Sequence, residues 1–169
     1  PRGVDAAYLG TGLPGSGMSA DRFQIEGQTY KTDRDYGRTR TLSVTPGFFS
    51  TFGVPVLKGR GITADDRQGA PTVAVVNEAF VRENFRGADP IGHRLRLGES
   101  DSKADWVTIV GVIPTLYTVT MDDPFPPAVV TALWQEPRLT TLTLAVRGRA
   151  DAASAPAIRK LVGSLDPEV

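Results

Sequence analysis

The alternation of hydrophobic and polar residues predicts strands and short helices in succession between residues 39 and 90. In residues 39–44 (TRTLSV), Arg40, Leu42 and Val44 alternate with the small hydroxyl residues at 39, 41 and 43. A repeat of two residues is the period of a half-buried strand. A Pro-Gly pair follows and ends that strand, because proline donates no hydrogen bond to a sheet and favours a turn. Phe48, Phe49 and Phe52 then recur at spacings of one, three and four, so they predict one apolar turn of helix.

A further strand and helix are predicted after residue 70. Residues 72–76 (TVAVV) are β-branched and almost wholly apolar, which is typical of a strand buried on both faces. Asn77 is a favoured cap for a helix over residues 78–85, in which apolar residues four positions apart share one side. Thr63, followed closely by two aspartates, has the pattern of another helix start, with threonine as the cap and acids in the first turn.

The rest of the chain predicts more strands and one final helix. Strands are expected at residues 4–11, 22–26, 54–57, 94–97, 106–113, 128–134 and 141–146. In the last of these we expect Leu142, Leu144 and Val146 to face the core, because they occupy every second position. The final helix is predicted from apolar residues at spacings of three, four and seven, namely Ile158, Leu161, Val162 and Leu165.

Short stretches in a fixed order carry a resemblance to a known family. They are residues 45–49 (TPGFF), 52–60 (FGVPVLKGR), 75–80 (VVNEAF) and 89–92 (DPIG), followed by 110–112 (VGV) and 165–167 (LDP). Together they are similar to the periplasmic core domain of MacB-like ABC transporter permeases, a group that also includes the FtsX-like permeases. The resemblance runs from about residue 4 to residue 169, and its specificity comes from the ordered set and not from any single motif.

The resemblance implies an α+β fold of two lobes. Residues 39–60 and 141–169 both run from strand to helix, and a pair of such βαβ-like units around one sheet is a ferredoxin-like arrangement. In the family, a porter-like lobe of this kind is interrupted by a second, strand-rich lobe. We therefore expect residues 1–63 and 139–169 to form a discontinuous porter-like lobe. Residues 64–138 are expected to form the inserted, sabre-like lobe of mixed α/β structure.

The resemblance also implies a function. The chain would be the periplasmic, extracytoplasmic domain of an ABC transporter permease in the bacterial inner membrane, non-catalytic and without a cofactor. ATP hydrolysis would take place in a separate cytoplasmic ATPase subunit or domain. The domain would transmit that cycle to substrates or partners outside the membrane, for export or for mechanotransmission. A periplasmic adaptor protein and a second copy of the permease are further partners that the resemblance suggests, and the transported substrate is left open.

Length and composition limit the classes of protein to which this chain can belong. A chain of 169 residues suits one domain or two small lobes. A formal net charge of zero argues against non-specific nucleic-acid binding, and the absence of cysteine excludes disulfide bonds and thiol chemistry. No apolar run reaches the ~18 residues that span a bilayer. Because the chain begins with Pro1 and not with methionine, we expect it to be a piece of a longer protein, with transmembrane helices on both sides.

Several motifs resemble catalytic or metal-binding signatures but lack the context that such sites need. Residues 10–15 match G-x-G-x-x-G, but no amphipathic helix follows to bind a pyrophosphate, so a glycine-rich loop is predicted. Ser16 lies between two glycines but fails the G-x-S-x-G spacing of a nucleophile elbow, because residues 14 and 18 are proline and methionine. His93 is the single histidine and is expected at the surface. Three carboxylate pairs are expected to cap helices or to lie in solvated turns: Asp33/Asp35, Asp65/Asp66 and Asp122/Asp123.

Three aromatic residues near proline-rich loops are candidates for contact with a partner protein. They are Tyr117, Phe125 and Trp134. An exposed aromatic at a loop tip suits such a contact, and ordinary packing between lobes is the alternative. Two other functions stay open at this point. One is a soluble periplasmic or secreted ligand-binding module, which a ligand would stabilise on its own. The other is a hydrolase that uses His93.

Overall fold

The computed structural model describes residues 3–99, 102–116, 126–136, 141–149, 156 and 158–160. Within these ranges the fold is a mixed α+β structure rich in strands, as expected. The strands are β1 Val4–Gly10, β2 Ser19–Ile25, β3 Gly37–Val44, β4 Lys58–Gly59, β5 Val73–Asn77, β6 Arg94–Leu97, β7 Val107–Ile113, β8 Ala128–Ala132 and β9 Thr143–Gly148. The α-helices are α1 Gly47–Phe52 and α2 Glu78–Phe85.

Six of the strands close into a ring. The hydrogen-bonded order is β2–β6–β7–β5–β8–β3, and β3 then pairs with β2 again. The β5–β7 and β3–β8 pairs are parallel, and the other four pairs are antiparallel. Outside the ring, β1 and β9 continue the sheet from β3, and β4 pairs with β7. The ring joins strands from both predicted lobes, and the division into lobes at residues 63/64 and 138/139 stays a prediction.

Two hydrophobic cores lie on the two faces of the ring strands. The inner core contains Phe23, Ile25, Leu95, Ile109 and Val129, together with Ala74 and Val76 of β5. The outer core packs α1 against β1 and the ring, and it contains Tyr8, Leu42, Phe48, and Val73 and Val75 of β5. Alternate residues of β5 therefore enter different cores. The predicted strand buried on both faces is confirmed.

A glycine on β3 makes room for the largest side chain inside the ring. Gly37 is directly opposite Phe23 in the β2–β3 register. A Cβ atom on Gly37 would lie 2.2 Å from a ring carbon of Phe23. Since a Cβ atom does not approach another heavy atom so closely, the Phe23 ring occupies the space that any larger residue at position 37 would need.

Helix α2 closes one end of the ring. Asn77, the last residue of β5, is the predicted cap, and its Oδ1 accepts a hydrogen bond of 2.9 Å from the backbone N–H of Phe80. The same Oδ1 accepts from the N–H of Ala128 at 3.0 Å, and Nδ2 donates to the carbonyl of Pro126 at 2.9 Å. The fully buried Phe80 ring lies 4.8 Å, centroid to centroid, from Phe23. The helix is thereby fixed to two ring strands, β5 and β8.

The predicted helix start at Thr63 is wrong, because residues 63–66 form a turn. The N–H of Asp66 donates to the Thr63 carbonyl at 3.2 Å. The Asp66 carboxylate accepts from the Thr63 N–H at 2.8 Å and from both terminal nitrogens of Arg60, at 2.7 and 2.9 Å. Asp66 therefore binds the Arg60 guanidinium and does not cap a helix. Its hydrogen bonds link residues 60, 63 and 66 of the segment that follows β4.

Replacing Asp66 by asparagine should change how stability depends on pH. Burial raises the pKa of Asp66, but hydrogen bonds from Arg60 and Thr63 outweigh burial and leave the pKa below its ordinary value. A lowered pKa in the folded state means that the carboxylate stabilises the fold at pH values above its unfolded pKa of about 3.9. That contribution is lost as the pH falls through the folded pKa.

We therefore expect Asp66→Asn to cost about 2 kcal/mol at pH 7, where charged hydrogen bonds are lost. The free energy of unfolding, measured by urea denaturation from pH 7 to pH 2.5, should fall less steeply in the variant than in the wild type. The exposed neighbour Asp65 provides the control, and Asp65→Asn should keep the wild-type pH profile. Parallel profiles for the wild type and Asp66→Asn would refute this role of Asp66.

The predicted inward face of β9 is wrong. Leu142 and Leu144 are 51% and 41% exposed, whereas Ala145 packs against the outer core. Arg147, on the same face as Ala145, donates from Nη1 to the Ser50 carbonyl of α1 at 3.1 Å. Alternation shows which residues share a face but not which face another element covers. Of the predicted final helix, residues 156 and 158–160 are helical, and the rest lies outside the described residues.

Candidate functional site

The end of the ring opposite α2 opens into a cleft. All six ring strands begin or end there: β2, β5 and β7 begin, and β3, β6 and β8 end. The cleft has a volume of about 1180 Å³. Three connecting segments contribute to its rim, through residues 68–70 and 72, residues 98 and 103–105, and residues 134–136. The interior of the ring is therefore filled and capped at one end and accessible at the other.

The side chains that face into the ring change from apolar to polar towards the cleft. On β2, Ile25 and Phe23 belong to the inner core, whereas Asp21 lines the cleft. On β8, Val129 belongs to the inner core, and Thr131, two positions later, lines the cleft. Because alternate residues of a strand share a face, this change of chemistry occurs along one continuous surface.

Hydroxyl and carboxylate groups in the cleft wall are connected by hydrogen bonds. The hydroxyls of Ser43 and Thr131 lie 2.9 Å apart, on the parallel strands β3 and β8. Ser43 also donates to Glu136 Oε2 at 3.2 Å. Thr41 donates to Asp21 Oδ2 across the β2–β3 pair. These contacts hold two carboxylates, Asp21 and Glu136, at the walls of the cleft.

Trp134 lies at the rim of the cleft and is 48% exposed. It belongs to a 3₁₀ turn, Leu133–Gln135, that follows β8. The buried Leu133 anchors the turn on one side. Gln135 anchors it on the other, because its Oε1 accepts from the Val73 N–H at 3.1 Å and its Nε2 donates to the Pro71 carbonyl at 3.0 Å. An exposed indole on a fixed turn suits a binding role, although contact with a partner remains a prediction.

The other two aromatic candidates, Tyr117 and Phe125, lie outside the described residues.

The cleft carries more negative than positive charge. Its lining includes the acids Asp21, Asp105 and Glu136 and one base, Lys103. Four acids elsewhere in the described ranges each form an ion pair with a base: Asp66 with Arg60, Glu26 with Arg94, Asp89 with Lys58 and Glu99 with Arg22. Hydrogen bonding to Arg94 lowers the pKa of Glu26, and hydrogen bonding to Lys58 lowers that of Asp89. The cleft lining thus has an excess of acids over bases.

The G-x-G-x-x-G match is a tight loop, as predicted. Leu13 and Ser16 exchange two backbone hydrogen bonds of 2.8 and 3.0 Å, and the next element is strand β2, not a helix. The buried Tyr8 hydroxyl donates to the Gly12 carbonyl at 2.7 Å. Burial raises the pKa of Tyr8 to about 12, although the hydrogen bond to Gly12 opposes the rise. The loop is therefore folded onto the outer core and offers no helix N-terminus to a phosphate.

The residues considered for catalysis are not brought together. His93 is exposed and packs edge-on against Phe85 at 5.2 Å, at the end of the ring where α2 lies. Ser16 lies in the loop before β2, towards the opposite end. Among the described residues, no three His, Cys, Asp or Glu side chains cluster in a way that could hold a metal ion, and no helix is long and apolar enough to cross a membrane.

The carboxylate pairs take local roles where the structure describes them. Asp35 Oδ2 accepts from the backbone N–H groups of Lys31 and Thr32 at 2.9 and 2.8 Å. Asp66 serves the 63–66 turn. The Asp35 contacts fit the expected capping role, whereas Asp66 is buried and paired with Arg60 and is not in a solvated turn. The Asp122/Asp123 pair lies outside the described residues.

Sequence reasoning missed the cleft residues Asp21, Ser43, Thr131 and Glu136. A signal was present on β8, because Thr131 is a polar residue in a strand that is otherwise apolar. A hydroxyl on the buried face of a strand needs a hydrogen-bond partner. The pattern therefore marks a polar part of the interior, but pairing of β3 with β8 is needed to bring the hydroxyls together.

Comparisons with known proteins identify the fold and the family. The family model of the MacB-like periplasmic core domain matches residues 4–162. A crystallised domain of a protein described as a permease, from Porphyromonas gingivalis, is 21% identical with a TM-score of 0.62, over 99% of this chain and 65% of that chain. This chain thus spans 65% of the length of that relative. No curated protein sequence matches this chain.

Two further structures share the fold. The periplasmic region of MacB from Actinobacillus actinomycetemcomitans is 15% identical with a TM-score of 0.65, over 98% of this chain and 69% of that chain. The extracellular domain of the noncanonic ABC-type transporter YknZ from Gram-positive bacteria is 11% identical with a TM-score of 0.65, over 98% of this chain and 78% of that chain.

Proposed function

The chain belongs to the family of MacB-like periplasmic core domains, and from this premise we propose that it is the extracytoplasmic domain of an ABC transporter permease. In this proposal the domain is non-catalytic. It couples ATP hydrolysis by a cytoplasmic ATPase subunit or domain to work on substrates or partners outside the membrane, by export or by mechanotransmission. The domain then lies on the periplasmic side of the bacterial inner membrane, and a periplasmic adaptor and a second permease copy are its proposed partners.

The observation that carries this proposal is the extent of the family match. It covers residues 4–162, which include α1, the complete ring and β9. The fold likeness to the periplasmic region of MacB and to the extracellular domain of YknZ supports the same side of the membrane. YknZ is an ABC-type transporter by its description, and we propose the same role for the protein that contains this chain.

The ring suits the transmission of movement. Six strands that are hydrogen-bonded in a closed circle cannot slide past one another without breaking backbone hydrogen bonds on both sides. A movement of an attached transmembrane segment would therefore displace the domain as one body. Coupling also requires that the domain can occupy two positions relative to the membrane, and that the ATPase cycle changes the population of each.

Fluorescence in the full-length permease with its ATPase tests the proposal. This chain has no cysteine, so Ser50→Cys on α1 and Glu83→Cys on α2 each provide one labelling site within it, and both positions are exposed. Energy transfer from a dye at each site to acceptor lipids reports the height of the domain above the bilayer. We expect the transfer at one or both sites to change between the nucleotide-free state and a state trapped with ATP and vanadate.

Two controls make the measurement specific. Addition of ADP without vanadate should leave the transfer at the nucleotide-free value. A double variant, Ser50→Cys with Glu83→Cys, should show an unchanged distance between α1 and α2, because both helices pack on the same continuous sheet. Identical energy transfer at both single sites in the two nucleotide states would disprove coupling through this domain.

A further inference from the structure

The cleft at the open end of the ring is a preformed space. Ring closure fixes the positions of the strand ends that surround it, and Phe80 with Phe23 fills the interior below it. A site whose walls are already held in place loses little conformational freedom when a ligand binds. The volume of about 1180 Å³ is in the range of sites for organic ligands or peptide segments.

Two carboxylates in the cleft have hydrogen-bond donors, but no basic side chain of the described residues, Lys103 included, forms an ion pair with them. Asp21 accepts from the Thr41 hydroxyl, and Glu136 accepts from the Ser43 hydroxyl. Both acids are half-buried, and in the described part of the chain neither forms an ion pair with a basic side chain. A half-buried carboxylate is stabilised by a cation that reaches it. Four acids outside the cleft obtain that cation from the protein itself, and these two do not.

Trp134 adds an aromatic surface at the rim. Its turn is fixed by Gln135, and about half of the indole is exposed. The face of an indole attracts cations and also packs against apolar groups. The second tryptophan, Trp106, is already used in this way within the protein, because the Arg96 guanidinium lies 4.7 Å from its ring centroid. Trp134 has no such partner among the described residues.

We infer that this cleft binds an amine or guanidinium cation carried on an apolar stem. The cation is held by Asp21 and Glu136, and the stem packs on Trp134. The hydroxyls of Thr41, Ser43 and Thr131 fix the carboxylates. The ligand is a free organic cation or a basic side chain of a peptide, since both present the same chemistry. The site is formed by this domain alone, so the inference does not depend on the transport function proposed above.

Titration of the chain with defined cations tests this inference. The probes are agmatine, a blocked tetrapeptide that contains arginine, and the same tetrapeptide with neutral citrulline in place of arginine. Tryptophan fluorescence is followed in a Trp106→Phe background, so that Trp134 is the one remaining tryptophan. We expect saturable changes with agmatine, with the arginine peptide, or with both, and binding of the citrulline peptide that is weaker by roughly 10-fold or more. Tighter binding of the arginine peptide would assign the site to peptides, and tighter binding of agmatine to small cations.

Variants of the cleft and of the outer surface complete the test. Glu136→Gln and Asp21→Asn keep the size of each side chain and should each weaken cation binding by roughly 10-fold. Glu83→Gln, at an exposed position of α2, should leave it unchanged. Circular dichroism melts show whether each variant is folded. If one of the two carboxylate variants does not fold, the other is enough to test the inference. The inference is overturned if neither cation binds saturably, if citrulline binds as well as arginine, or if the folded carboxylate variants bind like the wild type.

Discussion

Replacement of Phe80 by alanine should lower the free energy of unfolding by about 3–5 kcal/mol. The Phe80 side chain is fully buried in the inner core, whereas Val81 and Phe85 of the same helix pack against that core but are only partly buried. The Phe80 ring packs on Phe23, whose own position is fixed by the absence of a side chain at Gly37. The ring strands cannot move inward to fill the lost volume, because their backbone hydrogen bonds run around a closed circle. The cavity is therefore expected to stay open and the loss to lie in the upper part of the range.

Urea denaturation at pH 7 measures this loss, with an unchanged dependence on denaturant as evidence that the unfolded state is the same. Phe85→Ala is the matched control. Phe85 lies on the same helix but is half-buried and packs on exposed His93, so we expect a loss of about 1 kcal/mol. Equal losses for the two variants would contradict the assignment of Phe80 as the residue that fills the closed end of the ring.

Replacement of Asn77 by alanine should lower the free energy of unfolding by about 3 kcal/mol. Asn77 is 1% exposed, and its side chain makes three hydrogen bonds to backbone groups. The loss of a helix cap accounts for about 1 kcal/mol. The remainder comes from the buried Ala128 N–H and Pro126 carbonyl, which would lose their partner in a place that water does not reach.

Asn84→Ala provides the comparison for Asn77. Asn84 lies on α2, the helix that Asn77 caps. It is half-buried and donates one hydrogen bond to the Phe80 carbonyl. Because that carbonyl lies within a helix, we expect Asn84→Ala to lower the free energy of unfolding by no more than about 0.5 kcal/mol. Hydrogen exchange of the Phe80 and Ala128 amides should be faster in Asn77→Ala than in the wild type. A small loss of stability with unchanged exchange at both amides would show that Asn77 does not join α2 to β8.

Much of the fold could be predicted because it depends on neighbours in sequence. The Asn77 cap needs an amide side chain three residues before the N–H that it accepts, and the sequence shows that spacing directly. The burial of β5 on both faces follows from the uninterrupted apolar run at residues 73–76. The glycine-rich loop before β2 follows from its turn residues.

The parts that could not be predicted depend on partners far apart in the sequence. Alternation in β9 showed that Leu142 and Leu144 share a face, but α1 covers the opposite face through Ala145 and Arg147. The acids near Thr63 fit a helix cap locally, and Arg60 competes for Asp66 with two strong hydrogen bonds. In both places tertiary contacts prevailed over a correct local pattern.

The candidate site is the extreme example of this limit. Sequence reasoning identified Trp134 as an aromatic that could be exposed, and it is. It did not connect Asp21 with Trp134 and Glu136, because Asp21 joins them at one cleft only when β2 pairs with β3 and β3 with β8. A site made at the common end of several strands has no short motif, so the topology must be known before its residues can be grouped.

The closed ring also has a consequence for the order of events during folding. Ser43 and Thr131 contact each other across 88 positions of sequence, and β1 pairs with β9 from opposite ends of the described chain. Contacts of such high sequence separation slow folding, because the entropy of closing long loops is lost before the contacts form. On the ribosome, β3 and β5 must wait with one edge unpaired until β8 has been synthesised. Unpaired strand edges favour association between chains, so this waiting period is when the protein is most exposed to aggregation.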